Sequence, residues 1–466
     1  MDLDNRKSGN GMRHTYKKWL QKGIAIATVF SIVIGSTAMG QQKAFASEKT
    51  TTTKVVTNNG KEKASLRFVF TTDIHGMISS KDYEAGTDFK NAGLSRAYDL
   101  IKKARKEMPA NNVYTFDIGD VLFDATTEYI MEQDSEVVQP IYQAMSLIGY
   151  DAITLGNHEF DYGKDYLLAQ LYGSGLYDKV VVSNLFNTKD DSYPFERNML
   201  ITREVETNDG NTMEVTIGII GETVPTLSSK TQNYTGTWKT EDIVQNTKKE
   251  AAHLKSLGAD IIVVLAHSGF GDEEPEENAA NAVYALSKLD DVDVILCGHE
   301  HNELPSSNKS LYYYSLPGVD EQTGKVNGKT VVMSKNLGRS IGVVDITVEQ
   351  EKDKSITITD STGEVRKVTS TNTSESPEIL ACFANWKEEF EAYRNKQLAV
   401  LAEGEVLENY FGLLEDNKTL QMQNEARISY ALRYIMKNKN EYAKYPILSA
   451  SSYTSYGANA TDDFVN

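Results

Sequence analysis

Apolar runs that break off abruptly at Asp, Asn or His are the feature that most constrains this 466-residue chain. Leu66–Phe70, Val113–Phe116, Ala152–Leu155, Asp260–Leu265 and Val292–Cys297 are short and rich in β-branched or aromatic residues. Runs of that length and type read as buried strands. Helical spacing fills gaps between them: Leu94, Ala97, Leu100 and Ile101 share one face within Gly93–Lys106, and further helices are expected at Val137–Ile148 and Glu276–Leu289. Strand, helix, strand, helix, strand is the rhythm of crossover units around a mostly parallel sheet. In such sheets the crevice beyond the strands' carboxyl ends is the place for chemistry.

The same reading extends along the chain. Strands are expected at Val180–Ser183, Glu214–Ile220, Thr330–Met333 and Ile341–Thr347, with a hairpin over Ser355–Val368 completing a second sheet. Thr369–Ser376 is a Ser/Thr-rich linker. Ser376-Pro377 then supplies an N-cap and a proline at the first helical position, opening a helix through about Ala399. A helix near Leu420–Met436 and a strand-like Pro446–Ala450 follow.

The first 46 residues have the pattern of an export leader: Arg13, Lys17, Lys18 and Lys22 precede an apolar run from Ile24 to Gly40, then Ala44-Phe45-Ala46 as a cleavage site. Residues 47–65, rich in Thr, Lys and Asn, read as a flexible tether. The formal net charge is −18, and removing the basic leader makes the chain more acidic still. Such a surface repels nucleic-acid polymers and anionic membranes, so any phosphate it handles must be attracted locally. Cys297 and Cys382 are too few for a disulfide scaffold and are expected to be free thiols.

The histidines carry the functional signal. There are seven; His14 lies in the leader and His253 on an expected helix, while His75, His158, His267, His299 and His301 all follow strand ends. Read alone, Gly156-Asn157-His158-Glu159 is more simply a capped turn, with Gly156 providing unusual backbone angles and Glu159 given no role. Asp73 and His75, two apart on extended backbone, can converge on one point. Together these residues suit a pair of divalent metals about 3.5–4 Å apart. Asp73, His75 and His301 hold one ion in this reading; Asn157, His267 and His299 hold the other; Asp120 bridges. Two ions bring about +4 against two carboxylates and a hydroxide, leaving positive charge for a phosphate ester. Bound water with a pKa near 7 is the expected nucleophile. His158 is expected to protonate the leaving oxygen, with Asp161 fixing its tautomer. Nitrogen and oxygen ligands without thiolates suit Mn, Zn or Fe.

In order, Asp73-x-His75, Gly119-Asp120, Gly156-Asn157-His158-Glu159, His267 and Gly298-His299-x-His301 resemble the blocks of the calcineurin-like metallophosphoesterase superfamily. Within it the chain looks like the exported bacterial nucleotidases. It is most similar to the 2′,3′-cyclic-nucleotide 2′-phosphodiesterase/3′-nucleotidase group at Thr71–His75, Leu265–Gly269 and Glu277–Asp293. The resemblance implies an α/β fold, a four-layer sandwich of two mixed β-sheets flanked by helices over residues 66–368. A linker and connecting helix over 369–400 would lead to an α+β C-terminal domain that stacks the base on aromatic side chains. Residues 401–466 are expected to be a truncated form of that domain, with Tyr445, Tyr453 and Tyr456 as packing residues. The expected activity is hydrolysis of 2′,3′-cyclic nucleotides and 3′-nucleotides. A 5′-nucleotidase or nucleotide-sugar hydrolase, and a catalytically impaired surface-binding protein, are the alternatives. The expected partner is a small-molecule nucleotide, without an obligate protein partner. The expected location is secreted or in the cell envelope, with no membrane contact after leader cleavage and no wall anchor visible.

Overall fold

The structure is a computed structural model and describes residues 61–83, 87–225, 236–396 and 428–429. Strands are numbered in chain order: β1 Lys63–Thr71, β2 Lys81–Asp82, β3 Thr87–Asp88, β4 Val113–Asp117, β5 Ala152–Ile153, β6 Leu185–Asn187, β7 Asn198–Glu206 and β8 Thr212–Glu222. After them come β9 Trp238–Thr240, β10 Ile261–Ala266, β11 Val294–Cys297, β12 Lys325–Val326, β13 Lys329–Met333, β14 Ser340–Gln350 and β15 Ile356–Lys367. Two larger sheets result, a five-stranded one in the order β15-β14-β1-β4-β5 and a six-stranded one in the order β12-β13-β11-β10-β8-β7. Both are mixed. β1, β4 and β5 run parallel in the first, and β8, β10, β11 and β13 in the second, with antiparallel neighbours at the edges.

Three apolar cores separate the layers. Phe68, Phe70, Phe116, Ile217, Val263 and Leu296 meet between the sheets. Val69, Leu100, Ile101 and Ile153 pack under helices on the outer side of the first sheet, and Ile262, Val264 and Ile295 under those outside the second. β10 shows the cause: Ile261, Val263 and Leu265 face inward while Ile262, Val264 and Ala266 face outward. Both faces are covered, so the strand is apolar throughout, and each buried Val, Leu or Ile contributes about 1.5–3 kcal/mol. The result is the expected α/β sandwich of two mixed sheets between helical layers.

Several local expectations are corrected. β1 starts at Lys63, so residues 63–65 belong to the sheet and not to a tether. Val180–Ser183 makes only isolated bridges, because its backbone is shared among Ile153, Glu196 and Gly221. The helix expected over Glu276–Leu289 shrinks to Val283–Leu286. Asn278 has φ 62, which no right-handed helix continues through, and the Asn281 side chain binds Gly269 and Glu300 instead. The stretch expected as a hairpin over Ser355–Val368 is one long strand, β15 (Ile356–Lys367), paired antiparallel with β14 in the first sheet and not part of a second. The helix after Ser376 is two pieces, Pro377–Ala381 and Ala384–Arg394, and the break lets Phe383 and Phe390 both reach Tyr83. Both cysteines are free, with Cys297 buried and Cys382 half-buried. One compact unit ends at Arg394 and another begins at Asn395. The leader, and all of the expected C-terminal elements apart from residues 428 and 429, lie outside the described residues. Among the described residues no helix is long and apolar enough to cross a membrane.

Candidate metal centre

The carboxyl ends of β1, β4, β5, β10 and β11 deliver the site. The loop after β1 is zipped to the loop after β4: Asp73 N donates to Gly119 O at 2.8 Å, His75 N to Asp120 O at 3.0 Å and Gly76 N to Val121 O at 2.7 Å. The expected convergence of Asp73 and His75 is present, but not on extended backbone. Asp73, His75, Asp120, His299 and His301 all have positive φ, at 51, 46, 55, 73 and 57°. Tight left-handed turns aim these side chains, each at a cost that the surroundings must offset.

Three overlapping clusters form, with donor atoms in each within 4.8 Å of one another: Asp73, His75 and His301; His75, Asp120 and His158; Asp120, His267 and His299. His301 Nε2 lies 3.1 Å from His75 Nε2 and 3.3 Å from Asp73 Oδ1, and His267 Nε2 lies 3.1 Å from Asp120 Oδ2. His158, expected to act apart from the metals, thus also stands within ligand range of His75 and Asp120. His253 sits away from the group, on the helix Ile243–Ser256.

The donor set fits divalent cations. His267 Nδ1 donates to Ile118 O at 2.8 Å and His75 Nδ1 faces Leu122 O at 3.3 Å, which leaves both Nε2 lone pairs for the centre. Asp73 Oδ1, Asn157 Oδ1 and His267 Nε2 are buried without a partner in hydrogen-bond geometry. Buried acceptors without a donor, beside two imidazole nitrogens that face each other, call for positive charge. Burial alone would raise the pKa of Asp73, but His301 and His267 outweigh it and bring it to about 2. Burial likewise opposes ionisation of Asp120, and His267 nevertheless holds that carboxyl well below its usual range. Burial, with His267 beside it, lowers His299 to about 4.

His158 Nδ1 lies 2.6 Å from Asp161 Oδ2, and His158 N donates to Asp120 Oδ1 at 2.8 Å. Gly156 is needed for space rather than for unusual angles. A Cβ there would stand 2.2 Å from Asp120 Oδ1 and 2.6 Å from His267 Cε1, and its φ is not positive. Glu159, to which the sequence assigned nothing, organises the centre: its buried carboxylate accepts from Asp120 N at 2.9 Å, Val121 N at 2.5 Å and Gly156 N at 2.6 Å. Burial and the neighbouring Asp120 push it up to about 7. Thr72, donating to Asp73 Oδ2, and Glu300, accepting from Phe270 N and the Asn281 amide, support the other loops. For Glu159 the one visible sign in the sequence is its place directly after Asn157-His158.

Strand ends of two packed sheets deliver carboxylates and imidazoles to overlapping clusters suited to divalent cations. Comparison with known proteins agrees: the calcineurin-like phosphoesterase family matches residues 66–303. The chain belongs to that family. It is 30% identical to the 2′,3′-cyclic-nucleotide 2′-phosphodiesterase/3′-nucleotidase of Salmonella typhimurium, over 85% of this chain and 61% of the relative. To the trifunctional nucleotide phosphoesterase protein YfkN of Bacillus subtilis it is 29% identical, over 86% of this chain and 27% of the relative. The crystal structure of calcineurin-like phosphoesterase YfkN from that organism matches with TM-score 0.66 and 28% identity, covering 72% of this chain and 100% of the other. The chain therefore spans less than two thirds of the length of each of these two sequence relatives.

Proposed function

We propose that the protein is an exported phosphoesterase that hydrolyses 2′,3′-cyclic nucleotides and 3′-nucleotides to nucleosides and phosphate. The observation that carries the reading is the set of overlapping Asp and His clusters at the strand ends, in which Asp73 Oδ1 and His267 Nε2 are buried without a hydrogen-bond partner. The relatives' names support nucleotide substrates.

Asp73, His75 and His301 would hold one divalent ion, Asn157, His267 and His299 a second, and Asp120 would contact both; Mn, Zn and Fe all suit these donors. When bound, such a pair supplies Lewis acidity toward phosphoryl oxygens and lowers the pKa of a water to about 7. His158 keeps its proton on Nδ1 toward Asp161, so Nε2 is the atom that hands a proton to the leaving oxygen as the P–O bond breaks. Asp161 holds the imidazole's tautomer and steadies its charged form. Burial lowers the pKa of His158, but the hydrogen bond to Asp161 and the charge of Asp120 outweigh it and raise it above the ordinary imidazole value.

The test is hydrolysis of 2′,3′-cyclic AMP, 3′-AMP and 5′-AMP by the purified chain supplied with Mn. Turnover of the first two is expected. Ready cleavage of 5′-AMP with neither of the others would overturn the substrate assignment in favour of a 5′-nucleotidase.

A further inference from the structure

Phe123 stands three residues after Asp120 and is 50% exposed, in a chain that buries most of its large apolar side chains. Its φ is 89°, a left-handed conformation that an aromatic residue rarely adopts and that costs about 1–3 kcal/mol. Nothing apolar is gained from the core in return. Its neighbours hold it there from both sides: Leu122 O faces His75 Nδ1, and Asp124 caps the helix Ala125–Gln133 by accepting from Thr127 N at 2.8 Å. The strained backbone delivers the ring onto His158. The two ring centroids are 4.3 Å apart with an interplanar angle of 32°. On another side His158 meets His75 edge-on at 5.2 Å.

His158 needs such a contact. Its side chain retains 28% exposure, and Asp161 grips it through one hydrogen bond. One bond fixes the Nδ1 end but lets the ring swing about that point, and a group that transfers a proton must be held within a fraction of an ångström. Close contact with the tilted Phe123 ring limits that swing.

We propose that Phe123 is a positioning residue for His158, holding Nε2 in line with the leaving oxygen, and that its backbone strain is the cost of that placement. The inference rests on the proton-donor reading of His158.

The test separates leaving groups. A nucleotide loses an alcohol, which needs a proton, while p-nitrophenyl phosphate loses an anion stable near neutral pH. Phe123→Asn removes the ring and tolerates the left-handed backbone, so its Tm is expected to equal or exceed that of the wild type. Its kcat for 3′-AMP or 5′-AMP, whichever the wild type turns over, should fall about 10- to 100-fold, part of the 10²–10⁴-fold worth of a general acid. With p-nitrophenyl phosphate kcat should change by less than about threefold. Phe123→Tyr should restore nucleotide turnover and Phe123→Leu, similar in bulk but unable to stack, should not. In a His158→Ala background Phe123→Asn should add nothing. Equal losses on both substrates with a lowered Tm would make Phe123 merely structural and overturn the proposal. So would unchanged nucleotide turnover in Phe123→Asn while His158→Ala is slowed. If His158→Ala itself keeps wild-type turnover of the nucleotide, the proton-donor reading fails first, and that outcome is seen without any Phe123 variant.

Discussion

A left-handed Asp or His is costly once, and this centre contains five, with φ between 46 and 73°. At about 1–3 kcal/mol each the total is comparable to the net stability of a whole domain. Backbone bonds between loops offset that cost, and Glu159 anchors three of the donors. Both of its oxygens accept, so Glu159→Gln turns an amide NH₂ toward backbone N–H groups. The variant should lose about 1–3 kcal/mol of stability, seen as a lower denaturation midpoint, and bind metal more weakly by elemental analysis. His158→Ala tests a different role. Turnover of nucleotides should drop 10²–10⁴-fold with metal content unchanged. Because His158 lies within ligand range of His75 and Asp120, loss of metal in that variant would identify it as a ligand instead.

At the level of elements, strand ends do more than present candidate ligands. β8 ends in Glu222, fully buried, whose Oε1 accepts from Ser183 Oγ, Asn246 Nδ2 and Thr247 Oγ1, each within 2.9 Å, while Oε2 has no partner. Burial pushes its pKa up to about 8, despite those donors. A carboxyl raised above its unfolded value stabilises the fold fully below about pH 4.5, and the contribution is lost as pH rises through about 8. The wild-type Tm should therefore fall between pH 5 and 9 by several degrees more than that of Glu222→Gln, as measured by calorimetry. Identical pH profiles for the two proteins would contradict this account of the strand end. The short helix Val283–Leu286 shows the converse: local composition favoured a long helix, and loop contacts at Asn278 and Asn281 ended it.

Across the whole molecule, the two sheets meet in one apolar core and place their parallel strand ends at a common edge. Buried carboxylates and strained turns are concentrated there, and cations bound at that edge would stabilise the folded state. Chelation by EDTA should lower the Tm by several degrees, since occupancy at about 100 times Kd is worth about 2.7 kcal/mol per ion, and Mn or Zn should restore it. A Tm indifferent to chelator would count against cations at this centre. The two-sheet class was implied by the family resemblance; the sequence by itself determined the alternation of elements and the position of Asp73, His75, Asp120, Asn157, His267, His299 and His301 at strand ends. Those follow from periodicity and residue type over a few neighbours. Only the tertiary structure decided that Gly156 is a matter of space, that Glu159 ties the loops together, that the Phe123 ring lies against His158, and that the turns at Asp73, His75, Asp120, His299 and His301 are left-handed. Each of these depends on contacts between loops that lie far apart in the chain, 38 residues for Val121 with Glu159 and 226 for Asp73 with His299. A local pattern carries no record of such distances, because the partner loop supplies both the space and the hydrogen bonds.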